Sequence, residues 1–246
     1  MTVFTKSPFI GSPFIIQRGV TRMADILFAN GELGILLDLS PTTVFQDSAM
    51  TTPAVAGDPV GAVIDVSGND FHLVQATTLR KPTLQQDANG RYYLDFDGVD
   101  DYLLCPPEMS AIDQNISVVV AVMPYDDKNN RNSNTILQNK GTATLLDVGF
   151  KLSAGGPLNV AVADGTNNNT VSLGSSISIT EPTLVSVVVS ATKVTLRKNM
   201  EMVGSIDRTA QDFTAPNRFA LGALYVNVSN VFHHLNGRIY GLIVVN

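Results

Sequence analysis

The sequence predicts an all-β fold, an antiparallel β-sandwich or barrel of one domain. Three observations carry this. From Gly34 onward, short apolar runs rich in Val, Ile and Thr follow one another to the end of the chain. Gly, Asn, Asp, Ser and Pro punctuate them at roughly eight- to twelve-residue spacing, the rhythm of sandwiches and not of alternating βα units. No long stretch beyond residue 30 carries a helical period. A chain of 246 residues suits a single large β domain.

Residues 1–30 stand apart as an N-terminal arm ahead of a 31–246 sandwich domain. "SPFIGSPFII" repeats a Ser-Pro-Phe-Ile unit at Ser7 and Ser12. Proline keeps the backbone extended there, and Phe9, Ile10, Phe14, Ile15 and Ile16 are too apolar for an ordinary solvated tail. The arm is either a segment lying loose or laid over its own domain, or an assembly element that docks on a neighbouring subunit. "TRMADILFAN" is expected to form one or two helical turns that Gly31 ends.

The strands then follow in order. "GILLDLS" is a short apolar strand, and "TTVFQDSAMTTPAVAGDP" is expected to be loop. "VGAVIDVSG" enters a turn at Ser67–Asp70, and "FHLVQAT", "RYYLDF" and "DYLLC" come next. "NISVVVAVMP" is apolar throughout, as in a strand buried on both faces. "NTILQNK", "VGFKLSA", "LNVAVADG", "TVSLGS", "TLVSVVVSA", "KVTLRKN", "EMVGSI", "RFALGAL" and "GRIYGLIVV" complete the series. Lys198-Asn199 reads as a hairpin turn. Two loops are strongly polar, 125–134 and 164–170. Their Asp126, Asp127, Asn129, Asn130, Asn132, Asp164, Asn167 and Asn168 are either a solvated rim or ligand contacts, since such side chains match the donors and acceptors of sugar hydroxyls.

Composition bounds the function. Charged residues are 15% of the chain, against roughly 25% in an average globular protein. The formal charge is −6 with no basic cluster, which argues against nucleic acid and anionic membrane surfaces. No segment approaches the ~20 apolar residues of a membrane span, and Pro8 and Pro13 interrupt what a signal peptide would need. Cys105 is the one cysteine, so no internal disulfide forms and a reducing folding compartment is expected.

"YLDFDGVDDYL" places four aspartates within eleven residues. Clustered carboxylates suit calcium, and Asp97, Asp100 and Asp101 are the weak metal candidates. Alternation, however, puts Asp95 and Asp97 opposite Leu94 and Phe96. A glycine at 98 permits a positive-φ turn whose N–H groups those side chains can accept. That second account is favoured, and no cofactor is expected. Hydrolysis of a glycan needs two carboxylates facing across the scissile bond. Glu32, Glu108, Glu181 and Glu201 instead fall near turns or loops. His233 and His234, as strand neighbours, would face opposite ways, and Cys105 ahead of two prolines reads as a small buried residue. No catalytic residue is assigned and no enzyme activity is expected.

The order "YYLDFDGVDDYLLC", "ISVVVAVMP", "NTILQNKG", "GFKLSAGGPLNVAVADG", "TLVSVVVSATKVTLRKNMEMVGSI" and "FALGALYVNVSNVFHHLNGRIYGLIVVN" resembles the concanavalin A-like lectin/glucanase superfamily, and within it the laminin G-like jelly rolls. It covers roughly residues 60–246. It implies an antiparallel jelly-roll sandwich in which "FDG…DY" links two strands and "NGRIYGLIVVN" is a core strand. Laminin G-like domains often bind calcium at a loop rim. The glycan-cleaving members' Glu-x-Asp-x-x-Glu strand has no counterpart here. The segment from "LDLSPTTVF" to "FDGVDDYL" is similar to one common in bacteriophage and prophage virion proteins. This implies a structural or adsorption component of a phage particle (fibre, collar, decoration or tail appendage), assembled in the host cytoplasm. Its partners would be other virion proteins and host-surface glycans, in a homo-oligomer, trimers being usual for such appendages. A free carbohydrate-binding module is the alternative. Trp is absent, which removes a common sugar-stacking platform.

Overall fold

The structure is a computed structural model that describes residues 23–106, 115–125, 134–140, 149–153, 157–163, 168–208, 219–227 and 230–246. A short helix α1 (Met23–Leu27) opens it, and Gly31, at φ +82°, closes the turns that follow. The strands of the first half are β1 (Gly34–Leu37), β2 (Val44–Phe45), β3 (Ala62–Val63), β4 (Leu73–Val74), β5 (Thr83–Gln86), β6 (Tyr92–Asp97), β7 (Leu103–Leu104) and β8 (Ile116–Pro124). Next come β9 (Thr135–Lys140), β10 (Gly149–Ser153), β11 (Pro157–Ala163), β12 (Asn168–Ser176) and β13 (Thr183–Val189). The last are β14 (Lys193–Lys198), β15 (Glu201–Asp207), β16 (Phe219–Leu221), β17 (Leu224–Asn227), β18 (Asn230–Phe232) and β19 (Asn236–Val245).

They form two antiparallel sheets. The first runs β15-β14-β13-β8-β19-β6-β5, with β1 also on β19; the second runs β12-β11-β10-β9-β16-β7-β4-β3-β2. β17 and β18 make a separate hairpin. One continuous core lies between the sheets. The first contributes Leu84, Leu94, Phe96, Val118, Val120, Val185, Val187 and Leu242, and the second Val63, Leu73, Leu103, Ile136, Leu137 and Phe219. The "FDG…DY" element is the crossover between sheets, because β6 belongs to the first and β7 to the second.

β19 is the axis of the first sheet. β8 occupies one edge along its length, from Gly237 opposite Pro124 to Val245 opposite Ser117. The other edge is divided: β6 pairs with Asn236–Ile239 and β1 with Leu242–Val245. The register with β8 shifts between Ile239 and Gly241, so Tyr240 is an extra residue. Strand alternation would otherwise turn Leu242 outward. With the bulge, Ile239, Leu242 and Val244 all face the core, while Arg238 and Tyr240 face out.

β8 is covered on both faces only in its second half. Ser117 is exposed and Val119 half-buried, whereas Ala121 and Met123 are buried on the outer side as well. Val44–Phe45 forms a strand inside the segment expected to be loop, because it pairs with Ala62–Val63 across a long connection. β5 also escaped the sequence, since "TLQQ" alternates too briefly to register. The β14–β15 turn is Asn199-Met200, one residue later than expected, with φ of +49° and +71° and Lys198 opposite Glu201.

Asp65 ties the two sheets together near α1. Its buried carboxylate accepts the Leu36 N–H at 2.9 Å, the Ser67 N–H at 2.9 Å, the Ser67 hydroxyl at 2.7 Å and the Phe71 N–H at 3.0 Å. Leu36 is in β1 of the first sheet, and Ser67 and Phe71 bracket the turn that leads into β4 of the second. Ser67–Asp70 is thus a turn, with Gly68 at φ +98°.

Two stability changes follow. Asp65→Ala strands several buried donors and should cost on the order of 3 kcal/mol, read as a fall of several degrees in Tm. Met200 pays for a left-handed backbone, so Met200→Gly should stabilise by about 1 kcal/mol and raise Tm by roughly 2–4 °C.

Candidate functional site

The outer face of the first sheet carries an ordered polar and aromatic row. It arises where β6, β19 and the end of β8 lie side by side. In β6, Leu94 and Phe96 go to the core, so Tyr93 and Asp95 face outward. In β19 the same alternation, kept in phase by the bulge, presents Arg238 and Tyr240. Register sets Arg238 directly opposite Asp95 on one side and Met123 on the other. Tyr125 follows β8 and is held by its N–H to the Asn236 carbonyl, 2.9 Å.

The contacts run in sequence across the strands. The Arg91 guanidinium stands 5.3 Å from the Tyr240 ring centre, and Tyr240 lies 5.2 Å from Tyr93 at a 40° tilt. Arg238 sits 4.6 Å from the Tyr93 ring and 5.1 Å from that of Tyr125. Guanidinium groups over tyrosine faces gain electrostatic attraction from the ring quadrupole. Beneath them, Tyr93 and Tyr240 pack with Ala121, Met123 and Leu184. Tyr240 and Tyr93 are only 2% and 7% exposed, whereas Tyr125 is 37% exposed. The first two are therefore the foundation, and Tyr125 is the ring with open surface.

The Tyr125 hydroxyl joins the two charged groups. It donates to Asp95 Oδ1 at 2.6 Å and accepts from Arg238 Nε at 2.8 Å. Burial, followed by this bond to a carboxylate, pushes the Tyr125 phenol up to about 12. Burial would lower the Arg238 guanidinium, but its bonds to the Tyr125 and Tyr240 hydroxyls outweigh that and hold it above its ordinary range. At the row's other end Arg91 binds Asp87 through Nε at 2.8 Å and a terminal nitrogen at 2.7 Å. The whole row is charged, compensated and fixed.

The acidic stretch lies at the same end of the sandwich and serves its turn. Asp97 Oδ1 accepts the Val99 N–H at 2.8 Å and the Asp100 N–H at 3.3 Å, and Asp101 Oδ2 accepts the Asp97 N–H at 3.0 Å. Gly98 has φ +76°, and a Cβ there would lie 2.7 Å from the Asn236 Cβ. One carboxylate oxygen from each of Asp97, Asp100 and Asp101 falls within 4.8 Å of the others. Two of the three already hold backbone N–H groups, in line with a turn. Burial pushes Asp101 up to about 6; the Asp97 N–H opposes this, and the charges of Asp97, Asp100 and Asp95 add to it.

The other sequence candidates fall as follows. Asp126, Asp127, Asn129, Asn130 and Asn132 lie outside the described residues, but the ends of their loop do not. Tyr125 belongs to the row, and Asn134 Oδ1 accepts the Asn236 N–H at 2.9 Å. Asp164 and Asn167 also lie outside the described residues, as do Phe9, Ile10, Phe14, Ile15 and Ile16. Asn168 belongs to a strand and not to the expected loop: its backbone opens β12 opposite Ala163. His233 and His234 are not strand neighbours either; they occupy the bend between β18 and β19, both half-buried, with His233 at φ +56°. Cys105 is 1% exposed, as a small core residue. Tyr93, Tyr125, Tyr240 and Arg238 were not singled out by the sequence. The outward positions of Tyr93, Arg238 and Tyr240 were legible in "YYLDF" and "GRIYG", but their meeting with one another and with Tyr125 depends on strand pairing and a bulge.

No family model matches the sequence, and no curated protein matches it either. Solved structures do resemble the fold. Domain 4 of AbnA, a GH43 extracellular arabinanase from Geobacillus stearothermophilus solved with arabinotriose, aligns at TM-score 0.53 and 16% identity over 74% of this chain and 85% of that one. The Ruminococcus gnavus IT-sialidase CBM40 aligns at 0.47 and 16% identity over 56% and 78%. Domains LG4-5 of the mouse laminin alpha1 chain align at 0.47 and 16% over 58% and 38%. The chain is an all-β, antiparallel jelly-roll sandwich, and the first of these structures shares that fold.

The raised Asp101 sets a pH dependence. The folded state prefers the neutral acid, so this contribution to stability is complete below the ordinary carboxylate range and is lost as pH rises through about 6. Asp101→Asn keeps the acceptor for the Asp97 N–H and removes the charge. At pH ~7.5 it should melt higher than the wild type by roughly 2–4 °C, with the gap closing toward pH ~4. Millimolar calcium should move neither curve if the turn is all these carboxylates serve.

Proposed function

We propose that this chain is a glycan-binding sandwich displayed on a bacteriophage particle, as a structural or adsorption component such as a fibre, collar, decoration or tail appendage. The observation that carries the glycan half is the row on the outer face of the first sheet. An open tyrosine ring stands beside a fixed carboxylate and a fixed guanidinium. Sugars present apolar C–H faces edged by hydroxyls, and such a surface offers both a stacking plane and charge-assisted hydrogen bonds. Tyr125 supplies the plane that tryptophan often provides elsewhere. The jelly-roll fold supports this reading as a scaffold only, since fold does not fix function.

The virion half rests only on the resemblance read in the sequence of the segment leading into β6. Under it, the N-terminal arm joins other virion proteins or sister subunits, and the sandwich faces the host surface. A free carbohydrate-binding module would share the glycan chemistry but would not need the arm.

Purified protein should bind members of an immobilised glycan panel. Tyr125→Ala should weaken that binding about tenfold, which is about 1.4 kcal/mol, with little change in Tm because the ring lies outside the core. A blank panel would overturn the glycan reading. Deleting residues 1–22 should leave a folded domain that still binds glycan but no longer enters particles, and normal incorporation would favour the free module.

A further inference from the structure

The row also bears on the class of sugar. Its charges are balanced from within. Asp95 and Arg238 share the Tyr125 hydroxyl, and Arg91 is joined to Asp87 twice. An acidic saccharide would find a carboxylate beside either guanidinium it approached, Asp95 beside Arg238 and Asp87 beside Arg91, and so gains little Coulomb energy there. A cationic group would meet Arg238 in the same way.

What remains unused is one acceptor next to several donors. Asp95 Oδ1 is committed to Tyr125, while its Oδ2 takes no bond from any described residue. Ionised carboxylates only accept, and guanidinium groups only donate. Arg238 commits Nε to Tyr125, and the Tyr240 hydroxyl can take one more N–H. Further donors on its terminal nitrogens are left over. The two residues are directly opposed across β6 and β19, where side chains are close neighbours. A ligand that satisfies both must donate and accept from adjacent atoms. Carboxylates cannot donate and ammonium groups cannot accept, but neighbouring hydroxyls do both.

Resting on the glycan reading above, we infer that the ligand is a neutral saccharide with a free vicinal diol, one hydroxyl donating to Asp95 and its neighbour accepting from Arg238. The Tyr125 ring lies under the sugar's apolar face.

The test uses the full chain and three immobilised polysaccharides. Dextran is neutral and keeps adjacent hydroxyls free. Curdlan is neutral, but its linkages leave no vicinal diol along the chain. Polygalacturonate is acidic. The protein should bind dextran and lose that binding after periodate cleaves the diols. Raising salt from about 50 to about 500 mM, which screens any net charge interaction, should change the affinity less than about twofold. Curdlan should not bind, and polygalacturonate should bind no tighter than dextran. Asp95→Asn and Arg238→Lys should each weaken dextran binding about tenfold or more, while the protein still melts cooperatively within a few degrees of the wild type. Equal binding to curdlan or to periodate-treated dextran would overturn the diol while leaving glycan binding intact. So would tighter, salt-sensitive binding to polygalacturonate. Binding to none of the three while the glycan panel still binds would overturn the diol alone, and a blank panel as well would overturn both.

Discussion

β19 is hydrogen-bonded along both edges, and the rest of the sandwich depends on that constraint. A strand flanked on both sides must commit every residue to one face or the other. β19 does so with a single extra residue at Tyr240. The bulge lets Ile239, Leu242 and Val244 all reach the core while Arg238 and Tyr240 stay outside. Because β6 and β1 divide its second edge, the same strand also joins the chain's final residues to its first described strand. Asp65 then fastens β1 to the opposite sheet, one oxygen holding the Leu36 N–H while the pair of them hold Ser67 and Phe71 around the turn into β4.

The outer row is a consequence of this pairing. Tyrosine rings and arginines from β6, β19 and the hairpin before β6 alternate because cross-strand neighbours on one face are brought into contact. Arg238 between two rings is not mobile surface charge, since its position is fixed by stacking and by the Tyr125 hydroxyl. Tyr125 in turn is fixed by Asn236 on β19. A preorganised polar surface costs less to order on binding than loose side chains would.

The acidic turn illustrates the opposite outcome. Asp97 and Asp101 each turn one carboxylate oxygen inward, onto the N–H groups of a tight sheet-to-sheet crossover. Gly98 is required there on two counts, a left-handed backbone and the approach of Asn236. Asp101 is buried among like charges, and this raises its proton affinity.

The all-β class, most strand positions, the facing of Leu94 and Phe96 against Asp95 in β6 and the glycine turn at 98 were legible in the sequence alone. Those depend on alternation and turn chemistry, which are local. Short pieces such as Val44–Phe45 and Thr83–Gln86 were hidden, because two to four residues carry no period and are strands only through their partners. The site was half legible. Asp95 could be placed on the outer face from "YYLDF", but nothing local brings Tyr93, Tyr125, Arg238 and Tyr240 together from segments so far apart in the chain. Only the register of β6 and β8 on β19, with its bulge, decides that, because a shift of one residue would turn each of those side chains to the other face.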